Sequence, residues 1–265
     1  MAAFNEISPV NLMRLVGTPQ SPAIVDVCID DDFAEDPHLI PGAFRHPYGD
    51  LAGLTARLGD KDTVIVCQKG LKLSHGVAAY LRAQGMSAQV VAGGNVAWRD
   101  AGLPRVPAAK IPASLWVTRH RPKIDRIACP WLIRRFIDPT AQFLFVPPSS
   151  VAGVAEKFGA TPFDTDIPPW THEGEKCTFD VMIAAFGLTH PALEALALIV
   201  RGADTDQHDL APQVAGLLAI SVGLSRMYRD DAQQLEAGMI LYDALYRWAR
   251  DGQDEGHSWP NGAAQ

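Results

Sequence analysis

Val64-Ile65-Val66-Cys67-Gln68-Lys69-Gly70-Leu71-Lys72-Leu73-Ser74 carries a thiol from an apolar run into a short basic loop with a glycine, ahead of a helix-like segment. A brief apolar run closed by such a loop reads as a buried strand. The cysteine then stands at a strand end, facing successive backbone N–H groups, two lysines and a helix N-terminus. Those are the surroundings that make a sulfur reactive, since the thiolate is the nucleophile.

Working outward, residues 23–28 and 88–91 read as further strands around the one at 63–67. Between the last two, residues 74–84 place Val77, Tyr80 and Leu81 at helical spacing, with Gly85 as a stop. Ser8-Pro9 is an N-cap followed by proline at the first helical position, opening a short helix through Val16, and Asn95 caps another through Asp100. Strands alternating with helices imply an α/β fold, a parallel sheet with flanking helices. Prolines 104, 107 and 112 mark a linker. The expected organisation is a first domain over residues 1–105, a linker at 106–114, a second domain over 115–251 and a flexible tail at 252–265.

The second domain reads as mixed and mostly helical. Strands are expected at 115–118 and 143–146, an amphipathic helix at 125–137 and a short one at 149–158 closed by Gly159. An irregular stretch follows at 162–176, then helices at 179–186, 191–201, 209–227 and 231–250. Trp131, Leu132 and Phe136, like Leu235, Met239, Tyr242, Leu245 and Tyr246, form stripes at helical spacing that belong in a core.

The chain has 265 residues, 48% of them hydrophobic, and a net charge of −7, which argues against a nucleic-acid binder relying on phosphate neutralisation. Residues 1–17 lack the basic flank and apolar stretch of a secretory signal. The longest apolar-rich run, 214–224, is broken by Gly216, Ser221 and Gly223 and is too short to span a membrane. Cys28, Cys67, Cys129 and Cys177 are scattered, as befits a reducing compartment, and the protein reads as cytoplasmic. His257 lies in the tail, where no function is expected.

Several separated features of the first half share one resemblance. They are Ile24-Val25-Asp26-Val27, the turn His38-Leu39-Ile40-Pro41-Gly42-Ala43, the six residues from Cys67 to Lys72, and Gly93-Gly94 followed by Trp98. Together they resemble a rhodanese domain over about 100 residues. The resemblance implies that Cys67 accepts a sulfane sulfur as a persulfide, cradled by the N–H groups of Gln68, Lys69, Gly70, Leu71 and Lys72. Its partners would be small sulfur donors and thiol acceptors. Cys28 stands where that family commonly has arginine, which removes an ion-pair partner of Asp26.

The second half resembles the C-terminal domain of the chromate-resistance protein family, the ChrB type. The resemblance rests on Trp116-Val117-Thr118-Arg119, the run from Arg121 to Pro139, Cys177-Thr178-Phe179-Asp180, and Arg201-Gly202-Ala203-Asp204-Thr205-Asp206. It implies a role in chromate response or detoxification. Many members carry a DNA-binding N-terminal region; here a rhodanese-like domain takes that place, so operator binding is not expected.

Read as chemistry, Arg119, Arg121, Lys123 and Arg126, with His120, gather at the start of a helix. Guanidinium forks and helix N–H groups suit a tetrahedral oxyanion such as chromate or sulfate. Cys129 lies one turn after Asp125. His172, Glu173 and Cys177 offer imidazole, carboxylate and thiolate to a divalent metal such as zinc or iron. Asp204, Asp206, His208 and Asp209 make a second polar run; His172 and Asp204 are the expected ligands with Cys177 as a third, and Asp209 is otherwise a helix N-cap. The combined expectation is a sulfurtransferase using Cys67, coupled to a domain that binds an oxyanion or a metal. The alternatives are a non-enzymatic chromate or redox sensor, and a thiol-dependent chromate reductase using Cys129 or Cys177.

Overall fold

The structure, a computed structural model, describes residues 5–256. His257 and most of the expected tail lie outside the described residues. The first half runs β1 (Glu6–Ile7), α1 (Pro9–Met13), β2 (Ala23–Asp26), α2 (Asp30–Glu35), β3 (His38–Leu39), β4 (Ala43–Arg45), α3 (Leu51–Leu58), β5 (Thr63–Val66), α4 (Lys72–Ala83), β6 (Ala88–Val91) and α5 (Gly94–Asp100). Ser8 caps α1, its Oγ accepting the Asn11 N–H at 3.2 Å, with Pro9 at the first helical position.

Five strands pair in the order β1-β6-β5-β2-β4, all parallel, with Ile24 opposite Val64 and Ile65 opposite Val90. This is the α/β sheet with flanking helices that the sequence implies. Alternation along the strands divides the side chains between two faces. Val25, Ile65 and Val90 pack with Leu54 and Leu58 of α3 and Val77 and Leu81 of α4. Ile24, Val64, Val66 and Val91 face the other way, into a larger core shared with the second half.

From there the chain forms β7 (Val106–Pro107), β8 (Leu115–Arg119), α6 (Asp125–Leu132), β9 (Gln142–Val146), α7 (Val151–Phe158), β10 (Thr161–Pro162), α8 (Thr178–Ala185), α9 (Pro191–Asp204), α10 (Val214–Met227) and α11 (Asp231–Asp251). Strand β7 pairs antiparallel with β3, Val106 opposite Leu39, so part of the expected linker is stitched to the first half. A small parallel sheet, β10-β8-β9, carries the helices of the second half.

Two local departures have clear causes. Helix α10 begins at Val214 instead of 209, because Ala211, preceding Pro212, is extended (φ −157°, ψ 147°). His208–Leu210 form a separate 3-10 turn, and Asp209 is not the N-cap. Within α6, Pro130 has no N–H to return to the carbonyl four residues back, and residues Ile133–Ile137 widen into a π turn, closed by the Asp138 N–H on the Ile133 carbonyl at 2.8 Å.

The two halves meet at Phe136. A Cβ on Gly17 would lie 2.2 Å from Cζ of its ring, and its carbonyl accepts the Gly42 N–H at 2.5 Å. The ring packs edge-on against Trp131 and Tyr246, at centroid distances of 5.6 and 5.5 Å. Arg250 of α11 reaches back to the Arg14 carbonyl at 2.8 Å.

Candidate functional site

Cys67 follows the last residue of β5, and its Sγ lies 3.2 Å from Ser74 Oγ in the first turn of α4. The loop between them is fixed from below. Asn95 N–H donates to the Cys67 carbonyl and Val96 N–H to the Gln68 carbonyl, both at 3.0 Å, and Gln68 Nε2 donates to Glu35 at 2.8 Å. Gly70 and Gly94 both have φ of +64° and press against each other: a Cβ on Gly94 would come within 2.2 Å of the Cys67 carbonyl oxygen. With the carbonyls turned down, none of the N–H groups of Gln68, Lys69, Gly70 and Leu71 has an acceptor among the described residues. Lys69, Leu71 and Lys72 are exposed.

Beside this loop, buried Asp26 accepts the Cys28 N–H at 2.8 Å and Asn95 Nδ2 at 2.7 Å. Asn95 is thus the side chain that pairs with Asp26 in this chain. The same amide nitrogen lies 3.6 Å from Cys28 Sγ. Burial, and then the Asp26 carboxylate, push the Cys28 thiol far up, so it stays protonated. Cys28 borders a cavity of about 190 Å³ together with His38, Gln68, Asn95, Arg99 and Arg105.

The second half gathers a different group. One atom each from Asp125, Asp164, His172 and Asp204 lies within 4.8 Å of the others. His172 Nε2 is 3.1 Å from Asp204 Oδ2, 3.5 Å from Asp164 Oδ1 and 3.6 Å from Asp125 Oδ2. Asp125 opens α6, where its Oδ2 accepts the N–H groups of Thr178 and Phe179 at the start of α8, at 2.6 and 3.3 Å. It is fully buried, and its Oδ1 has no hydrogen-bond partner. Asp204 ends α9 and accepts the Asp125 N–H at 3.5 Å. Asp164 Oδ2 is held by Arg119 at 3.1 Å and Arg126 at 3.2 Å, while its Oδ1 takes the Thr178 hydroxyl at 3.3 Å.

The backbone is bent to make this arrangement. Ile124, just before Asp125, has φ +45° and ψ −105°, a costly conformation for a β-branched residue, and Asp164 itself has φ +48°. Tyr242 braces the first, its hydroxyl donating to the Ile124 carbonyl at 3.1 Å. Burial and the neighbouring carboxylates push Asp125 well up, and burial with Asp164 raises Asp204. Burial also acts to raise Asp164, but His172, Arg119 and Arg126 outweigh it and hold that carboxyl low. Contact with Asp164 moves the His172 imidazole up to about 9.

Of the expected ligands, His172 and Asp204 converge, and Cys177 is not in the group although its thiol lies beside Asp125. Its sulfur is buried and donates to Asp180 Oδ2 at 3.3 Å, and Asp180 in turn is gripped by both forks of Arg201. The expected basic cluster is dispersed. Arg119 and Arg126 serve Asp164, whereas the Arg121 guanidinium bonds the Ser225 carbonyl at 3.0 Å and its N–H donates to Asp231. Lys123 is half-buried before α6. In the sequence Asp125 stands out only as a neighbour of Cys129, and Asp164 does not stand out. The latter sits in the irregular stretch, where neither periodicity nor spacing marks it.

The chain is similar to known proteins in both halves. Protein ChrB of Cupriavidus metallidurans is 29% identical over 222 residues, covering 74% of this chain and 65% of the relative, so the chain spans just under two thirds of that relative's length. Similar solved structures include a rhodanese-like domain protein from Staphylococcus aureus, 29% identical over 36% of this chain and 91% of that one, with a TM-score of 0.32. A thiosulfate sulfurtransferase from Pseudomonas aeruginosa is 28% identical over 38% of this chain and 19% of that one, also with a TM-score of 0.32. The family described as ChrB, C-terminal domain, matches residues 116–249, half of the chain. That stretch holds Asp125, Asp164, His172 and Asp204 together, and the chain belongs to the family of ChrB C-terminal domains.

Proposed function

We propose that the chain is a rhodanese-type sulfurtransferase serving chromate resistance, with Cys67 as the sulfur carrier. The observation that carries this reading is the Cys67 loop, whose carbonyls are tied inward while the amides of Gln68 to Leu71 are left without internal acceptors. A nest of free N–H groups over a sulfur stabilises the anion that sulfur becomes. The Cys67 thiolate attacks the outer sulfur of a sulfane donor such as thiosulfate, forming the Cys67 persulfide and releasing sulfite. An acceptor thiolate, or cyanide in an assay, then takes that sulfur and returns the Cys67 thiolate. Lys69 and Lys72, exposed at the loop, favour anionic donors.

Membership in the ChrB C-terminal domain family supports the chromate-resistance part of the reading. Four free cysteines support a reducing cytoplasm as its location, and no helix among the described residues is long and apolar enough to cross a membrane. An oxyanion cradle at residues 119–126 draws little support, because Arg119, Arg121 and Arg126 are already engaged. The reductase alternative fares no better: Cys129 and Cys177 have no exposed surface, and burial with nearby carboxylates pushes both thiols far up.

Thiosulfate-to-cyanide transfer by wild type and Cys67→Ser is the test. Turnover that disappears in the variant, with a one-sulfur mass gain on Cys67 after thiosulfate treatment, is expected. Absence of Cys67-dependent transfer from any sulfane donor leaves the sensor reading, with Cys67 as a regulatory thiol.

A further inference from the structure

We infer that Asp125, Asp164, His172 and Asp204 bind one divalent cation that prefers oxygen ligands, of the Mn²⁺ or Fe²⁺ class. This site is independent of the sulfur chemistry assigned to Cys67.

The spacing fits a coordination sphere. Bonds of about 2.1 Å to nitrogen and oxygen place adjacent ligands about 3.0 Å apart in an octahedron and about 3.4 Å apart in a tetrahedron. His172 Nε2 lies 3.1, 3.5 and 3.6 Å from one oxygen of each carboxylate. Four atoms drawn from an α6 start, an α9 end and the loop between β10 and α8 thus lie within 4.8 Å of one another, a group compact enough to close on a single ion.

A second, independent feature is Asp125. It has no exposed surface, and its Oδ1 has no hydrogen-bond partner although a buried carboxylate oxygen left unpaired is costly. The unpaired atom belongs to a carboxylate that is already part of the converging group. Asp125 Oδ2 is the oxygen that faces His172, and a cation held there would be the charge partner of this buried carboxylate.

The remaining contacts behave as an outer shell, orienting the ligands. Amides of Thr178 and Phe179 fix Asp125, the Asp125 N–H fixes Asp204, and Arg119 and Arg126 hold the far oxygen of Asp164. The two arginines lie on the outside of the carboxylates, so an oxyanion at the centre would face three acidic groups. Three oxygens and one imidazole select a harder cation than a thiolate site would, and Cys177 is committed to Asp180. His172, whose side chain is 41% exposed, leaves the site open on one side for entry of the ion and for a further ligand.

The test uses the full chain, stripped with EDTA, dialysed, and titrated separately with MnCl₂, with FeSO₄ under anaerobic conditions, and with ZnCl₂. Calorimetry should show one Mn²⁺ or Fe²⁺ per chain, and electron paramagnetic resonance should show free Mn²⁺ disappearing in step. His172→Ala and Asp204→Asn should weaken binding by about 100-fold or more. Both variants should keep the circular dichroism of wild type. In the metal-free state Asp204→Asn should melt no lower than wild type, since it removes a like charge, but it should lose the rise in melting temperature that Mn²⁺ gives. Failure of both Mn²⁺ and Fe²⁺ to bind the folded wild type overturns the proposal. So does binding that His172→Ala and Asp204→Asn leave unchanged, and saturable binding of zinc alone overturns the class of ion.

Discussion

Asp26 shows how a buried carboxylate is satisfied from distant parts of the chain. It accepts the Cys28 N–H and the amide of Asn95, sixty-nine positions away in the chain. Asn95→Ala should strand that oxygen and cost about 1–3 kcal/mol, measured by urea denaturation. Asp26 at the end of an apolar run was legible in the sequence; its partner Asn95 was not, because nothing local links position 26 to position 95. The candidate site divides in the same way. His172 and Asp204 stood out as metal-ligating types in polar runs, whereas Asp164 became visible only once the fold brought it under Arg119 and Arg126. The thiols offer a second prediction. Burial holds Cys28, Cys129 and Cys177 as neutral thiols, so iodoacetamide at neutral pH should modify Cys67 first in the folded protein and the other three only after unfolding. Peptide mapping of partly alkylated protein reads this directly, and early labelling of Cys28 would contradict it.

Among the elements, those built on an apolar run or with clear helical spacing were readable in advance: β2, β5, β6, α4 and α11. The two-residue strands β1, β3, β7 and β10 were not, since so short a segment has no period and exists only because a partner strand is there to pair with it. Glycine separates the two kinds of constraint. Gly76, inside α4 and open to space, should gain about 0.5–1 kcal/mol on replacement by alanine. Gly94→Ala should instead lower the melting temperature and sulfur transfer together, because its Cβ would strike the Cys67 carbonyl and its φ is positive. The β3–β7 strap adds a pH dependence. Burial acts to raise the Asp36 carboxyl, but His38 and Arg105 outweigh it and hold it below its usual range. A carboxyl depressed by folding stabilises the native state above its unfolded value, and that contribution is lost as pH falls through the folded one. Between about pH 5 and pH 2, Asp36→Asn should therefore flatten the fall in urea midpoint seen for wild type.

At the scale of the molecule, the sheet of the first half spends one face on its own helices and the other on the second half. One cluster of buried side chains runs from Leu12 through Trp98 and Phe136 to Ala249. Unfolding should accordingly be a single transition by both calorimetry and fluorescence, and Phe136→Ala should lower the stability of the whole by about 3–5 kcal/mol. The notch at Gly17 that receives the Phe136 ring also bears on ancestry. A lineage that exchanged its N-terminal segment for another would inherit a protruding phenylalanine, and only a newcomer with a residue lacking a side chain at that point could have docked. Any N-terminal segment joined to this second half is thus constrained by shape at this point, whatever chemistry it brings.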